Sequence, residues 1–194
     1  MTKIGIFGGT FNPPHMGHLI ICQSILAMAN LQKIIFVPSA ISPHKREART
    51  VPGELRLRMT KMAIEGNGRF EVSDLEIKRG GVSYTVDTLR EIKEVYPHAS
   101  LFLIIGVDNW IEFKSWKDPS EILEMADLLV MNRPGFNKRE VEHEFSRNVQ
   151  FIDVPNIEIS GTMIRLNVRS GRSIKYLVPR SVEQYITEHG LYHG

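Results

Sequence analysis

Two histidines, His15 and His18, stand three residues apart in "GGTFNPPHMGH", residues 8–18. At the start of a helix this spacing puts both rings on one face. Imidazoles placed so can donate hydrogen bonds to phosphoryl oxygens whose charge builds in a transition state. Gly8 and Gly9 let backbone approach a ligand with no Cβ in the way, and the helix behind them presents free N–H groups and a partial positive charge that suit phosphate. Taken singly, either histidine is as readily a cap or a surface residue; the pair inside a Gly/Pro frame favours chemistry. A metal site is the other option, but no third ligand stands at a suggestive spacing. The stretch is neither the GxGxxG fingerprint nor a P-loop, so hydride transfer and P-loop hydrolysis have little support.

A second stretch of the same kind is "ISGTMIR", residues 159–165. Ser160 is a good N-cap, Gly161 and Thr162 open the first turn, and Arg165 follows Thr162 by three residues, on the same face. Hydroxyls, free N–H groups and a guanidinium would converge there on one anion. Alone, the pattern is more often a well-capped helix with a surface arginine. Beside the upstream histidines, a second phosphate site is the better reading.

The elements that must hold these groups alternate. "KIGIF" (3–7) is a strand, Met16–Ala29 has a helix's length, and "KIIFVP" (33–38) is a second strand, which together make a βαβ unit. Pro52–Glu65 reads as a helix with Leu55, Met59 and Met62 at helical spacing; "RFEVSDLEI" (69–77) reads as extended, and Thr85–Tyr96 as helical. "SLFLIIG" (100–106) is nearly continuously apolar, as expected of a strand covered on both faces. Strands are expected again in "ADLLVMNRPG" (126–135) and "VQFIDV" (149–154), followed by a helix after Ser160 and a last one from about Pro179 to Glu188, stopped at Gly190. The alternation predicts a single doubly wound, Rossmann-like α/β domain over residues 1–194 with a mainly parallel sheet. In such a sheet ligands bind beyond the carboxyl ends of the strands, where "GGTFNPPHMGH" leaves the first one. Residues 38–52, with three prolines and the basic run "HKREAR", read as an exposed loop.

Bulk properties are those of an ordinary globular protein and are compatible with small phosphorylated ligands. The chain has 194 residues, 42% hydrophobic and 24% charged, with a net charge of +2. That charge and a pI near 8.7 are too mild to imply nucleic acid, and a mean hydropathy of −0.14 is ordinary for a globular protein. Cys22 is the one cysteine, which excludes an internal disulfide and fits a reducing cytoplasm. The apolar stretch 19–29 is too short to span a bilayer and lacks a basic segment before it, so a cytoplasmic protein without a membrane partner is expected. The sequence is compatible with a homo-oligomer and does not dictate one.

Together, in this order, "GGTFNPPHMGH" and "ISGTMIR" resemble the T/HxxH-type and ISSTxxR-type motifs of the nucleotidyltransferase superfamily. "ISPHKR" (41–46), "GGVSYTVDTL" (80–89), "LFLIIGVDN" (101–109), "MNRPG" (131–135) and "YLVPRSVEQYITEHGLY" (176–192) look like the bacterial nicotinate-nucleotide adenylyltransferases, so the resemblance covers nearly the whole chain. It implies transfer of AMP from ATP to nicotinate mononucleotide, with release of pyrophosphate, by direct in-line attack on the α-phosphorus. Mg²⁺ would be carried mainly on the ATP phosphates.

By matching position, the resemblance assigns His15, His18 and Arg165 to catalysis and Gly8, Gly9, Thr10, Phe11, Lys45, Gly106, Asp108, Ser160 and Thr162 to ATP. Trp116 matches the aromatic that stacks on the pyridine ring, although an ordinary packing role is the alternative. Tyr84 and Thr85 match the segment that receives the nicotinate carboxylate, and Arg133 a basic position near that pocket. Three positions depart from the pattern. Asn12 stands where the family usually has Asp, Gly161 replaces the second Ser of ISSTxxR, and "GVDN" replaces a turn of smaller residues. Phosphopantetheine and nicotinamide-mononucleotide adenylyltransferases share both phosphate motifs but not the "PPHK"-like, "SYT" and "EHGLY" combination. A nucleotide sensor without turnover would not need groups reserved for a transition state, and an RNA-binding module lacks aromatics interleaved with its basic loop.

Overall fold

A computed structural model describes residues 2–41, 50–132 and 149–193. In chain order it runs β1 (Lys3–Gly9), α1 (Met16–Met28), β2 (Lys33–Pro38), α2 (Gly53–Ile64), β3 (Phe70–Val72), α3 (Leu75–Arg79), α4 (Thr85–Val95), β4 (Ser100–Gly106), α5 (Val107–Ile111), a 3₁₀ turn (Phe113–Ser115), α6 (Pro119–Met125), β5 (Ala126–Met131), β6 (Val149–Ile152), α7 (Gly161–Arg169) and α8 (Arg180–Glu188). Six strands form one sheet in the order β3-β2-β1-β4-β5-β6. Every pairing is parallel, as in Ile6↔Ile35 and Ile6↔Leu103. Strand order reverses between β1 and β4, so the loops leaving those two strands open a crevice at their carboxyl ends.

Alternation along the strands explains why both faces are covered. Ile4, Ile6, Ile35, Val37, Leu101, Leu103 and Ile105 join one core with Val86, Leu89 and Ile92 of α4 and Ile122 of α6. The intervening Phe7, Ile34, Phe36 and Ile104 face the other way, onto Cys22, Ile25 and Leu26 of α1. A third cluster lies off the sheet, where Met59 and Ala63 of α2 meet Ile164 and Val168 of α7, Val182, Tyr185 and Ile186 of α8, and Leu191 and Tyr192. For α7 the packing outweighs the cap. Burying Ile164 and Val168 contributes about 1.5–3 kcal/mol each, against about 1 kcal/mol for the Ser160 side chain that accepts from the Met163 N–H.

One sequence expectation fails here. Residues 69–77 are not one extended run: only Phe70–Val72 pairs with β2, and Leu75–Arg79 turns into α3. Glu76 in its first turn and Lys78 and Arg79 in its last complement the helix dipole, and Lys78 pairs with Asp74 at 3.1 Å. Five residues are too few for a helical period to show. The same shortness hides α5, the 3₁₀ turn and α6, between the strands predicted at 100–106 and 126–135.

Candidate active site

The chain leaves β1 in a tight course. Phe11 adopts a left-handed φ of 47°, and the Asn12–Pro13 peptide is cis. A Cβ on Gly9 would stand 3.0 Å from the Phe11 ring, so a bare backbone is what lets that ring fold back over the strand end. Phe11 is 2% exposed and packs edge-on against Phe7 and against His18, with centroids 5.7 and 5.1 Å apart. Its ring therefore supports His18 from the core side. At Gly8 a Cβ would meet open space.

His15 is the N-cap of α1 and His18 sits in its first turn. The rings stack at a centroid distance of 3.5 Å, and His18 Nδ1 accepts from the His15 N–H at 3.1 Å. That bond fixes the orientation of the His18 ring against the first turn of α1. Burial lowers the His15 pKa to about 4, so its ring is neutral at pH 7. A neutral His15 spares the stack the repulsion that two imidazolium ions 3.5 Å apart would suffer.

The second motif closes on the first. Arg165 donates to the Asn12 carbonyl at 2.8 Å and to Thr162 Oγ1 at 3.3 Å. Gly161, at the start of α7, lies so near that a Cβ there would be 2.9 Å from the Asn12 oxygen. A serine in place of Gly161 would therefore force this backbone approach to shift. The Asn12 side chain accepts from the Tyr192 hydroxyl at 2.8 Å.

Electrostatics set this corner apart. Each of α2, α3, α4, α5, α6 and α8 carries an acidic residue in its first turn, while α1 and α7 carry none. An acid in that position is ordinarily stabilising by about 0.3–1 kcal/mol. The two helices that forgo it are those whose N-termini meet at the Asn12 loop, which keeps carboxylates away from a place suited to an outside anion.

A second group of predicted residues gathers at the same end of the sheet. Tyr84 caps α4, Thr85 opens it, and the adjoining Val82 bridges to Ile41, just past the end of β2. Ser83 Oγ accepts from the Ala40 N–H at 3.0 Å, and buried Glu76 accepts from Thr88 Oγ1 at 2.5 Å. Trp116 is half-buried and packs on Phe113, centroids 5.5 Å apart, so part of its surface serves the core and part is open. Next to it, Lys117 stands 4.9 Å over the Tyr84 ring and 3.1 Å from Asp87, which ties the Trp116 turn to the head of α4. Gly106 ends β4, and Asp108 is exposed in the first turn of α5. Lys45 and Arg133 lie outside the described residues.

Arg56 escaped the sequence reading. It is 1% exposed within α2 and donates to the carbonyls of Thr10 at 2.7 Å, Ala40 at 3.1 Å and Val51 at 3.0 Å. Burial pulls its pKa down, and Tyr192 and Glu76 oppose this. One guanidinium thereby ties the loops after β1 and β2 together. A signal was present, since Arg56 shares the inward helix face of Met59, Thr60 and Ala63.

A cytidylyltransferase-like family model matches residues 6–167, from β1 into α7, and so takes in both helix N-termini. A Desulfitobacterium hafniense protein named "probable nicotinate-nucleotide adenylyltransferase" is 43% identical, over 98% of this chain and 95% of its own. A Clostridium tetani protein of the same name is 39% identical, over 99% and 100%. The chain belongs to the nicotinate-nucleotide adenylyltransferase family. It also shares its fold with a Plasmodium falciparum nicotinic acid mononucleotide adenylyltransferase solved in complex with NaAD, at a TM-score of 0.79 and 19% identity over 99% of this chain and 98% of that one. Within this adenylyltransferase family the doubly wound, mainly parallel α/β sheet predicted from the sequence is the observed architecture, with six strands in all. Among the described residues no helix is long and apolar enough to cross a membrane.

Proposed function

We propose that this enzyme transfers AMP from ATP to nicotinate mononucleotide, forming nicotinate adenine dinucleotide and pyrophosphate. The observation that carries the reading is the meeting of two acid-free helix N-termini, a histidine pair and Arg165 around one loop. A phosphate oxygen of the mononucleotide attacks the α-phosphorus of ATP in line. The bond to the β-phosphate breaks, and its electron pair leaves with pyrophosphate. His15 and His18 donate hydrogen bonds to the oxygens that gain charge in that transition state. Arg165, Thr162 and the first amides of α7 hold the β- and γ-phosphates, and Gly8, Gly9 and Thr10 admit the nucleotide against bare backbone. Gly106 and Asp108 bound the ribose side.

Among the described residues no three His, Cys, Asp or Glu side chains gather to hold a metal. The donor set, cations and N–H groups, fits magnesium arriving as its ATP complex, where it neutralises charge on the phosphates. Trp116 offers its open face to the pyridine ring. Tyr84 and Thr85, at the head of α4, offer N–H and hydroxyl donors to the nicotinate carboxylate. A site built on donors discriminates against the amide, whose NH₂ would face them. ATP and nicotinate mononucleotide are thus the ligands we assign, within one domain spanning the chain.

The test is pyrophosphate release with ATP and Mg²⁺, offering nicotinate mononucleotide, nicotinamide mononucleotide and phosphopantetheine separately. A strong preference for the first is expected. Preference for another acceptor would overturn the roles of Tyr84, Thr85 and Trp116, and silence with all three would overturn the reaction.

A further inference from the structure

Asn12 is gripped from three directions. Tyr192, in the last turns of the chain, donates its hydroxyl to Asn12 Oδ1 at 2.8 Å in a buried contact. Arg165 holds the Asn12 carbonyl at 2.8 Å, and the bare Cα of Gly161 allows α7 to press against that same oxygen. Tyr192 is itself fixed: its ring belongs to the cluster that joins α2, α7 and α8, and it is 8% exposed. Burial pushes its pKa well above the usual phenol value, opposed by Arg165 and Arg56, so the hydroxyl stays a donor. The Asn12 side chain is 6% exposed, and its Nδ2 is buried with no hydrogen-bond partner among the described residues. The phenol is therefore the side chain's anchor.

We propose that Tyr192 is a positioning residue for AMP transfer, acting through Asn12 to fix the loop that carries His15 and the separation of that loop from Arg165 and the N-terminus of α7. Phosphate donors on α1 and on α7 come from sequence segments about 150 residues apart, and each serves the transition state only if their separation is set before substrate arrives. A loop bent through a left-handed Phe11 does not hold that course by itself; Tyr192 and Arg165 pin its middle residue from opposite motifs. The C-terminal tail thereby becomes part of the phosphate site without touching a phosphate. This rests on the adenylyl-transfer reading above.

Tyr192→Phe keeps the ring in its cluster and removes only the donor. Amide hydrogen exchange of the free protein should quicken across residues 8–18 and stay unchanged in α8. Turnover should fall about five- to tenfold, the size of one lost hydrogen bond, with the KM for ATP within about twofold of wild type. Asn12→Ala should reproduce both effects, and the double variant should be no worse than either single one. Asn12→Asp, which still accepts from the hydroxyl, should keep the wild-type exchange pattern. Unchanged exchange at 8–18, equal quickening in α8, or additive losses in the double variant would overturn the coupling. A wild-type chain without turnover would defeat the functional reading instead, and the exchange contrast would still decide whether Tyr192 fixes the loop.

Discussion

The two ends of the candidate site are built differently. Around Asn12, the corner proposed for the phosphates, long-range ties join segments distant in sequence: Arg56 to Thr10, Arg165 to Asn12, Tyr192 to Asn12. His15 and Phe11 are buried there. At the end proposed for the pyridine ring, Tyr84 is 37% exposed and Trp116 is half in the core. Of its ties, those that reach Trp116's turn, Lys117 to Asp87 and Lys117 over Tyr84, are surface contacts worth at most about 1 kcal/mol each. Stabilising a transition state demands donors that do not reorganise as charge moves, so that end is locked in advance. Recognising a ring and a carboxylate needs surfaces that admit the substrate and then close on it, and looser packing suits them.

The comparison breaks most sharply at His18. His18→Ala should lower turnover by about 10²- to 10³-fold while ATP still binds, seen by titration beside initial rates, because one preorganised donor is lost. Unchanged turnover would remove the preorganised end from the chemistry.

A pH experiment probes the same corner through stability. The His15 pKa is near 4 when folded against 6.5 ordinarily, so the unfolded chain takes up the proton first. Its contribution is complete above about pH 6.5 and is lost as the pH falls toward 4, to a limit of about 3 kcal/mol. Urea midpoints at pH 7 and pH 5 should therefore fall less for His15→Asn than for wild type. Equal losses would mean the ring is not kept neutral by burial.

Gly161→Ser restores the family's usual residue and should cost about 1–3 kcal/mol of stability, because its Cβ would meet a backbone oxygen that cannot swing away. A melting temperature unchanged by that substitution would show that the corner yields more than its packing implies. Smallest is Trp116→Ala, expected to raise the KM for the pyridine nucleotide about tenfold and the KM for ATP less, from the loss of one stacked aromatic face. The opposite ranking would place Trp116 in the core alone.

How much of this was legible depended on the length over which a pattern could repeat. "SLFLIIG" is β4 from end to end, since a strand covered on both faces announces itself by being apolar throughout. Met16–Met28 and Thr85–Val95 are helices within a residue or so of their expected ends, because their turns repeat often enough. Leu75–Arg79 and Pro119–Met125 have too few turns for a period to register. The histidine pair and Arg165 stood out by type and local spacing. Arg56 and Tyr192 did not, since a buried arginine and a tyrosine near the end of the chain carry no local sign of what they hold.

The sequence by itself determined the alternation that makes a parallel α/β sheet, and it marked the two motifs by their glycines, histidines, hydroxyls and arginine at the starts of helices. Those are local properties, set by side-chain periodicity and by which residues can cap a helix. Only the tertiary structure decided that Asn12 would meet Gly161, Arg165 and Tyr192. Contacts between residues 12, 161, 165 and 192 exist because α7 and α8 pack on α2, and no spacing along the chain encodes that closure. The groups that could do the chemistry are therefore local in sequence, while the distances that let them work together are set by a core that forms elsewhere in the molecule.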